Sequence, residues 1–416
     1  MTANQTVPEG MDFPLEGVRV LDLSRVFAGP LCGQVLADFG AEVIKVEHPA
    51  RGDDTRDWGM RIGKTETTYY NSMNRNKRSV TLDLQSAEGV QIIYDLLPQF
   101  DVVIHNFKHG GADKLGLGYD KLKAIKPDLI YCSVAGYNSS TPEAKRPGYD
   151  LVIQAEAGLM AINGEEGTPP LKFGVAVVDL MTGMYAAQAV LAALYRKSRT
   201  GRGRQIELAL YDCGITINGY YALDAMLLGH DTQRYGNAHP SIVPYGLFEA
   251  ADGPLIIAVG NNNQFDAFCR KVIERPDIVE TPRFATNVER AKNRLEILPL
   301  LKSIIATHPR QQLLQRMHAC GIPCGEAAGL HEALTSQRTQ QADIFHQMPH
   351  PVAGQTWVFA PPYRLDGQRL PIRHTPPTLG EATRQVLQEL LSMSDAQLQA
   401  LKDKGVLTLP EVAGSA

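Results

Sequence analysis

The sequence predicts an α/β protein built mainly on a doubly wound parallel sheet. Short apolar runs alternate with helical segments from about residue 17 to residue 210, and glycines stand where strands pass into helices. After Leu228 the pattern changes to a hairpin followed by helices. Strands that alternate with helices are typical of parallel sheets covered by helices on both faces. We therefore expect a Rossmann-like large domain and, at about residues 225–330, a smaller α+β domain.

The first strand–helix–strand unit is the clearest part of this pattern. Residues 17–24 are short and mostly apolar, which predicts a buried strand. Residues 29–39 carry apolar side chains at helical spacing and stop at Gly40, a suitable residue to end a helix. Residues 42–47, with the sequence E-V-I-K-V-E, predict the second strand.

The later elements follow the same rules. Helices are predicted at 87–97, 121–125 and 179–196, and strands at 101–105, 129–134 and 205–210. Beyond Leu228, residues 241–248 and 255–259 flank Asp252-Gly253, which predicts a hairpin. Helical patterns follow at 264–273, 293–306 and 309–319, then β-structure at 352–363 and a short helix at 394–403.

Charge and hydropathy argue against several classes of partner. The 416 residues carry 41 Lys plus Arg against 45 Asp plus Glu, a formal net charge of −4. This balance lacks the basic excess that nucleic acid or an anionic membrane attracts. We find no apolar run near the roughly 18 residues that span a bilayer. Residues 1–10 contain no Lys or Arg, so we expect no targeting peptide and a cytoplasmic protein.

The cysteines do not predict a metal site. Of the six, only Cys320 and Cys324 are close in sequence, and no second Cys or His pair stands at a zinc spacing. We expect free thiols in a reducing compartment and no bound metal.

Basic side chains recur after successive strands. Arg51 and Arg56 follow the second strand, residues 74–79 precede the next helix, and Lys108 and Lys114 follow the third strand. Loops after parallel strands gather at one edge of the sheet, where several cations suit a polyanionic ligand. The first turn, residues 27–33, lacks G-x-G-x-x-G, so the sequence favours a ligand other than a dinucleotide.

Eight segments together resemble the class III CoA-transferases. They are P-L-E-G-V-R-V-L-D-L-S-R-V-F-A-G-P (14–30), G-A-E-V-I-K-V-E (40–47), G-D-D-T-R (52–56), N-R-N-K-R-S (74–79), G-L-G-Y (116–119), G-Y-D (148–150), G-V-A-V-V-D-L-M-T-G-M-Y-A (174–186) and T-G-R-G-R-Q-I-E-L-A-L-Y-D (200–212). Within that family, residues 236–245 and 260–265 look closest to enzymes that use succinyl-CoA with dicarboxylic or related acids.

The resemblance implies an interlocked homodimer. It also implies a large CoA-binding domain made of residues 1–224 and 331–416, with the small domain at 225–330 between them. The CoA thioester is a substrate, so the resemblance implies no separate cofactor.

The resemblance further implies that Asp179 is the nucleophile. Taken alone, an Asp at the start of a long helix is more simply a capping or first-turn residue beside the helix dipole. At the family's position, its carboxylate attacks a thioester, giving a mixed anhydride and then an aspartyl-CoA thioester. We expect the helix N-terminus to keep Asp179 ionised and its N–H groups to stabilise developing negative charge.

The remaining site residues also come from the resemblance. The residues implied to bind CoA are Ala28, His48, Asn76, Lys77, Arg78, Asn106 and Lys114. Tyr149 aligns with an active-site tyrosine, and Gly260, Asn261, Asn262, Asn263 and Gln264 resemble a loop that covers the site. Arg25 and Phe27 stand where the oxalate-specific enzymes have other residues, so Arg25 is a candidate for holding a second carboxylate or for bracing the turn through backbone carbonyls. His239 lines an acid pocket or is a structural loop residue.

Two other functions stay open. The superfamily includes 2-methylacyl-CoA racemases, which use a His and an Asp; this chain has Tyr137 at the His position and retains Asp150. A non-catalytic acyl-CoA-binding protein is the other alternative, and Asp179 argues against it.

Overall fold

The computed structural model describes residues 12–410, and the expected lack of a targeting peptide at residues 1–10 concerns positions outside that range. The chain divides into two compact units. The first comprises residues 1–159, 173–219 and 337–416, and the second comprises residues 160–172 and 220–336.

Thirteen strands lie within the described range. They are β1 (Arg19–Asp22), β2 (Glu42–Glu47), β3 (Lys77–Thr81), β4 (Val102–His105), β5 (Ile130–Ala135), β6 (Arg204–Ala209), β7 (Tyr245–Ala250), β8 (Gly253–Ala258), β9 (Cys324–Glu326), β10 (Phe345–His350), β11 (Gly354–Phe359), β12 (Arg364–Leu365) and β13 (Gln368–Arg369).

The helices carry the rest of the regular structure in residues 12–410. They are α1 (Ala28–Asp38), α2 (Thr68–Ser72), α3 (Ala87–Leu96), α4 (Gly111–Lys114), α5 (Tyr119–Ile125), α6 (Asp150–Glu156), α7 (Leu159–Ile162), α8 (Val177–Thr200), α9 (Leu210–Ile217), α10 (Tyr220–Leu228), α11 (Asn262–Ala267), α12 (Pro276–Glu280), α13 (Asn287–Lys292), α14 (Arg294–Ile305), α15 (Arg310–Ala319), α16 (Leu330–Thr335), α17 (Gln337–Ala342), α18 (Thr383–Leu391) and α19 (Asp395–Asp403). Short 3₁₀ turns occur at Asp54–Asp57, Leu97–Gln99, Pro142–Lys145 and Pro282–Phe284, and a π-helical turn occurs at Phe268–Val272.

The first unit is built on a six-stranded sheet with the order β3-β2-β1-β4-β5-β6. All five pairings are parallel, as predicted. The chain adds strands in one direction from β1 to β3 and in the other from β4 to β6. A crevice therefore opens at the carboxyl ends of β1 and β4, where the direction changes.

Strand β3 corrects the sequence reading. Residues 74–79 were interpreted as a basic segment before the next helix and not as part of a strand, but Lys77 begins the strand and pairs in register with Val43. The run K-R-S-V-T lacks the alternation of apolar residues that identifies a strand. It is nevertheless buried because the Lys77 Nζ donates at 2.9 Å to Asp22 on β1, which neutralises the charge.

Apolar side chains cover both faces of this sheet. Val20 on β1 packs toward α1 and α8, while the next residue, Leu21, packs toward α3 and α18. Helices α1 and α8 approach closely, since a Cβ at Gly183 would lie 2.7 Å from the carbonyl oxygen of Ala28. A larger residue at position 183 would force apart the two helices that flank the crevice.

Helix α8 is long and apolar enough to pass a length and hydropathy test for a membrane span, with a mean hydropathy of 1.5. The sequence reading, which found no such run, was wrong on this point. Its buried residues, from Val178 to Ala193, recur every three or four positions and pack on α1 and the sheet. This one-sided burial is that of a core helix.

The second unit has its own core. Strands β7, β8 and β9 form an antiparallel sheet, and β7 and β8 form the predicted hairpin, whose turn lies at Ala251-Asp252, one residue before the predicted Asp252-Gly253. Phe265, Leu301 and Met317 are fully buried against that sheet. Helix α10 has no buried residue, and the side chains of Met226 and Leu227 are more than four-fifths exposed.

Candidate active site

A cavity of about 310 Å³ lies at the carboxyl ends of β1, β4 and β5. The sequence-predicted residues that line it together are Arg25, Phe27, Ala28, Asn106, Tyr149 and Asp179. The fold thus assembles, from four separate stretches of chain, the predicted nucleophile and five of the residues expected beside it.

Asp179 lies in the first turn of α8 and is 9% exposed. Within residues 12–410, no donor forms a hydrogen bond with its carboxylate, although its own main-chain N–H donates to Asp150 Oδ1 at 3.2 Å. Val178 N–H donates to the same oxygen at 2.8 Å. The Asp150 carboxylate therefore accepts hydrogen bonds from two main-chain N–H groups at the start of α8. The Asp179 side chain is left without a partner at the cavity wall.

The expected ionisation of Asp179 is corrected by this arrangement. Burial, and then the negative charge of Asp150, raise the pKa of Asp179 to about 7. The helix N-terminus does not offset them, because two of its N–H groups already donate to a carboxylate. Those two groups are also not available to stabilise an oxyanion.

Arg25 pairs with a neighbouring acid. Its Nη1 lies 3.0 Å from Asp54 Oδ2, and both side chains are partly exposed. The alternative that Arg25 braces the turn through backbone carbonyls has no counterpart among the hydrogen bonds of the described residues. The guanidinium instead lies at the cavity, beside Asp54.

Asn106, which was expected to contact CoA, is bonded through its side chain to the main chain of Arg25. Its Oδ1 accepts from Arg25 N–H at 2.9 Å, and its Nδ2 donates to the Arg25 carbonyl at 2.6 Å. Both ends of the amide are engaged, so the side chain holds the main chain of Arg25 at the cavity edge.

A second cavity, of about 190 Å³, adjoins the carboxyl ends of β2 and β3. His48 lines it as expected, together with Arg51, and Arg25 and Phe107 line both cavities. Residues 82–85, which follow β3, line it as well. The sequence analysis did not identify these four residues because it did not identify strand β3. The alternating apolar residues of V-T-L-D-L (80–84) could have predicted that strand.

Asn76, Lys77 and Arg78 were expected to bind CoA, but none of them lines either cavity. They lie at or just before the amino end of β3, whereas both cavities lie at carboxyl ends. The side chains are already engaged: Asn76 with Asp38, Lys77 with Asp22, and Arg78 with Glu42 and Glu389. Arg56, also read as a loop cation, is buried in an ion pair with Glu47. Because these cations neutralise buried or neighbouring acids, they serve the fold.

Lys114 ends the short helix α4 and lines neither cavity, although Leu115 beside it lines the second.

The predicted residues of the second unit are tied into their own surroundings. Asn261 caps α11 by accepting from Gln264 N–H, and Gly260 N–H donates to Gln264 Oε1 at 2.9 Å. Asn262 Oδ1 accepts from Asn287 N–H. His239 Nδ1 accepts from Ser241 N–H, and burial, together with Arg294, lowers the pKa of His239.

Sequence reasoning missed two other residues near Asp179, Tyr69 and His109. The pKa of Tyr69 is raised by burial and by the charges of Asp179 and Asp150, and its ring packs edge-on against Phe27. His109 follows β4 and lines the first cavity together with Lys108, one of the cations that the sequence placed at this edge of the sheet. In residues 12–410 no group of three or more His, Cys, Asp or Glu is arranged to hold a metal ion.

Comparisons with known proteins agree with the geometry. The family described as CoA-transferase family III matches residues 15–383. Succinyl-CoA:glutarate CoA-transferase of Mus musculus is 38% identical over 394 residues, covering 95% of this chain and 90% of that protein. Succinate–glutarate CoA-transferase of Agrobacterium fabrum is 37% identical over 383 residues, covering 91% of this chain and 96% of that protein. The crystal structure of a CAIB/BAIF family protein from Brucella suis superposes with a TM-score of 0.80 at 37% identity, covering 91% of this chain and 100% of that chain.

These matches define the class of protein as an enzyme that acts on CoA thioesters. The chain belongs to CoA-transferase family III and is a CoA-transferase. The resemblance seen in the sequence motifs is confirmed.

Proposed function

We propose that this enzyme moves CoA from succinyl-CoA to a second dicarboxylic acid or related organic acid, with Asp179 as the nucleophile. The observation that carries the proposal is the buried, unpaired carboxylate of Asp179 at the wall of the first cavity. The substrate class is supported by the relatives named for succinyl-CoA and glutarate or succinate and glutarate.

The proposed reaction needs no ATP. An Asp179 oxygen attacks the thioester carbon of succinyl-CoA and expels the CoA thiolate, leaving a mixed anhydride. The thiolate then attacks the Asp179 acyl carbon, releases succinate and forms an aspartyl-CoA thioester. The acceptor carboxylate attacks that thioester and expels the thiolate again. The thiolate finally attacks the acceptor's acyl carbon, which releases the new acyl-CoA and regenerates Asp179.

The two cavities suggest how the CoA thioester lies. The second cavity, lined by Leu23, Leu82 and Leu84, suits the adenine end, and His48 and Arg51 beside it suit phosphates. Arg25 and Phe107 border both cavities, so a chain passing them leads toward Asp179. In this arrangement His48 and Ala28 keep the CoA-binding roles that the sequence predicted, and Tyr149 borders the reacting end.

Racemisation is disfavoured by the residue at the second base position. Tyr137 is 4% exposed, and its hydroxyl donates to Glu156 at 2.6 Å, which raises its pKa to about 12 through burial and that hydrogen bond. A phenol in that state is a poor base for an α-proton. Simple binding of acyl-CoA gives no role to an unpaired carboxylate whose pKa is near 7.

We also propose that the enzyme is an interlocked homodimer. The exposed apolar side chains of α10, among them Leu223, Met226 and Leu227, support a partner surface. Sedimentation at nanomolar protein concentration should then give only dimer, because linked chains must open before they separate. Folded monomer under native conditions would contradict the interlocked form.

One assay tests the reaction. The enzyme is incubated with succinyl-CoA and a panel of mono- and dicarboxylic acids, and the CoA esters are identified by mass spectrometry. Transfer yields a new acyl-CoA together with succinate. Bound succinyl-CoA without any product would reject the proposal in favour of a binding protein. In a parallel incubation supplied with a single epimer of a 2-methylacyl-CoA, epimerisation without transfer would reject it in favour of a racemase.

A further inference from the structure

The loop of residues 24–28, between β1 and α1, is held by Asp22 at the end of β1 and by side chains from β2, from the loop after β2 and from the residue after β4. Ser24 N–H donates to Asp22 Oδ1 at 3.0 Å, and the Ser24 carbonyl accepts from Lys45 Nζ at 2.9 Å. Arg25 is held at both its N–H and its carbonyl by Asn106. Three consecutive residues, including Val26, thus depend on side chains distant in sequence.

Val26 is the strained residue of this loop. Its φ is +73°, a left-handed conformation that a β-branched residue rarely adopts. Its N–H donates to both oxygens of Asp53, at 3.1 and 3.2 Å. Such a conformation persists only where surrounding contacts determine it, and the Asp53 carboxylate is the contact made here.

Asp53 is itself fixed by a fully buried ion pair. Lys45 Nζ lies 2.9 Å from Asp53 Oδ2, and neither side chain is exposed. Asp53 also accepts from Thr55 N–H and Thr55 Oγ1. Although burial opposes the charge of Lys45, the carboxylates of Asp53, Asp22 and Glu47 outweigh it and raise the pKa of Lys45.

A buried ion pair is a poor source of stability, because removing two charges from water offsets most of their attraction. Its more effective use is to specify one arrangement of the groups around it. Lys45 reaches the Ser24 carbonyl and Asp53 reaches Val26 N–H, so this pair contacts both sides of Arg25. The same loop supplies Arg25, Val26, Phe27 and Ala28 to the wall of the Asp179 cavity.

We propose that Lys45 and Asp53 are positioning residues that hold loop 24–28 in the one conformation that forms the reactive-end wall of the cavity. The structural part of this proposal stands on the loop geometry, and its catalytic part rests on the proposed function. Neither residue lines the first cavity, so each acts through the main chain of the loop.

The test compares two matched buried carboxylates of the first unit. Asp53→Asn removes the charge that holds Val26 and faces Lys45. Asp38→Asn removes a carboxylate that pairs with Arg75 and lines neither cavity. Lys45→Met serves as the second variant, so that the comparison does not depend on one protein folding. Amide hydrogen exchange by mass spectrometry follows the peptide that contains residues 24–28.

We expect Asp53→Asn and Lys45→Met to speed exchange in that peptide about tenfold relative to peptides of β4 and β5, whereas Asp38→Asn does not. In the folded variants, kcat/KM for CoA transfer should fall about 100-fold with Asp53→Asn and by less than about threefold with Asp38→Asn. Adding Val26→Gly to Asp53→Asn should recover part of kcat/KM, because glycine adopts the left-handed conformation without strain.

Equal effects of Asp53→Asn and Asp38→Asn on exchange and on kcat/KM would overturn the proposal, as would an unchanged loop in both Asp53→Asn and Lys45→Met. A wild-type enzyme that transfers no CoA would reject the proposed function instead. In that case the exchange comparison alone still decides whether the pair holds the loop.

Discussion

The carboxylate of Asp150 accepts a hydrogen bond from the main-chain N–H of Asp179 at 3.2 Å. The Asp150 carboxylate therefore acts on Asp179 in two ways. It fixes the start of α8, since Val178 N–H donates to the same oxygen, and it sets a negative charge close to the Asp179 side chain. Gln154 Nε2 in turn donates to the other Asp150 oxygen at 2.6 Å, which holds that carboxylate in place.

The first prediction concerns the covalent step. Asp179→Ala should lower kcat for CoA transfer about 10⁴-fold or more, because the attacking oxygen is lost. CoA binding, measured by calorimetry, should be preserved, because the cations of the second cavity are unaltered. Hydroxylamine should convert Asp179 of the wild-type enzyme to a hydroxamate only after exposure to succinyl-CoA, as peptide mass spectrometry can detect. Turnover of Asp179→Ala within about tenfold of wild type would exclude this nucleophile.

The second prediction is a pH profile. Only ionised Asp179 attacks, so kcat/KM should rise with pH up to about 7 and level off above it. Asp150→Asn removes the neighbouring charge but keeps an acceptor for the helix, and should move the rise of kcat/KM to lower pH by roughly one unit. Burial still acts on Asp179, so its pKa should stay above that of a free carboxylate. A rise that occurs at the same pH in Asp150→Asn and wild type would show that Asp150 does not influence the ionisation of Asp179.

The third prediction concerns stability and follows from the same shift. Because the pKa of Asp179 is higher in the folded protein than in the unfolded chain, its ionisation destabilises the fold. The stability contribution is fully present below the unfolded-state pKa near 4 and is lost as pH rises through about 7. Asp179→Asn should therefore stabilise the protein more at pH 8 than at pH 5, by up to roughly 3 kcal/mol. Urea unfolding at both pH values measures the difference, and an equal effect at the two would contradict it.

The fourth prediction addresses acid selection. If Arg25 holds the distal carboxylate of a diacid, Arg25→Gln and Arg25→Lys should weaken the use of succinyl-CoA and glutarate by roughly 2–4 kcal/mol in kcat/KM. Butyryl-CoA, which has no distal charge, should be little affected. Asp54→Asn is the matched control, since it frees Arg25 from its ion pair and should leave diacid use unchanged or improved. Equal losses with mono- and dicarboxylic substrates would assign Arg25 a structural role.

The fifth prediction separates the cations at the two ends of the sheet. Arg51→Ala should raise KM for acyl-CoA about tenfold, the usual effect of losing one charge-assisted hydrogen bond to a phosphate. Arg78→Ala should leave that KM within about twofold, because Arg78 pairs with Glu42 and Glu389 away from both cavities. A large KM effect from Arg78→Ala alone would restore the binding role that the sequence first indicated.

Local pattern was sufficient for most elements of the large sheet. Strand β2 has the predicted limits Glu42–Glu47, and α1 ends two residues before Gly40, whose φ is +107°. These features depend on apolar spacing and on the conformational freedom of glycine, both of which are readable along the chain. The family motifs were enough to predict Asp179 as the nucleophile.

The tertiary structure alone decided what surrounds that residue. Lys77 and Arg78 are residue types that often bind phosphate. Here each forms ion pairs with acidic residues that are at least 36 positions away in the sequence. Residues 82–85 reach the second cavity only because β3 joins the sheet beside β2. Likewise, Asp150 reaches the start of α8 from 29 residues away, and burial with its charge raises the pKa of Asp179. The sequence by itself determined most of the strands and helices, since these rest on neighbouring residues, and its family motifs predicted Asp179 as the nucleophile. Charge pairing, burial and ionisation depend on distances between remote residues, and those distances exist only in the folded chain.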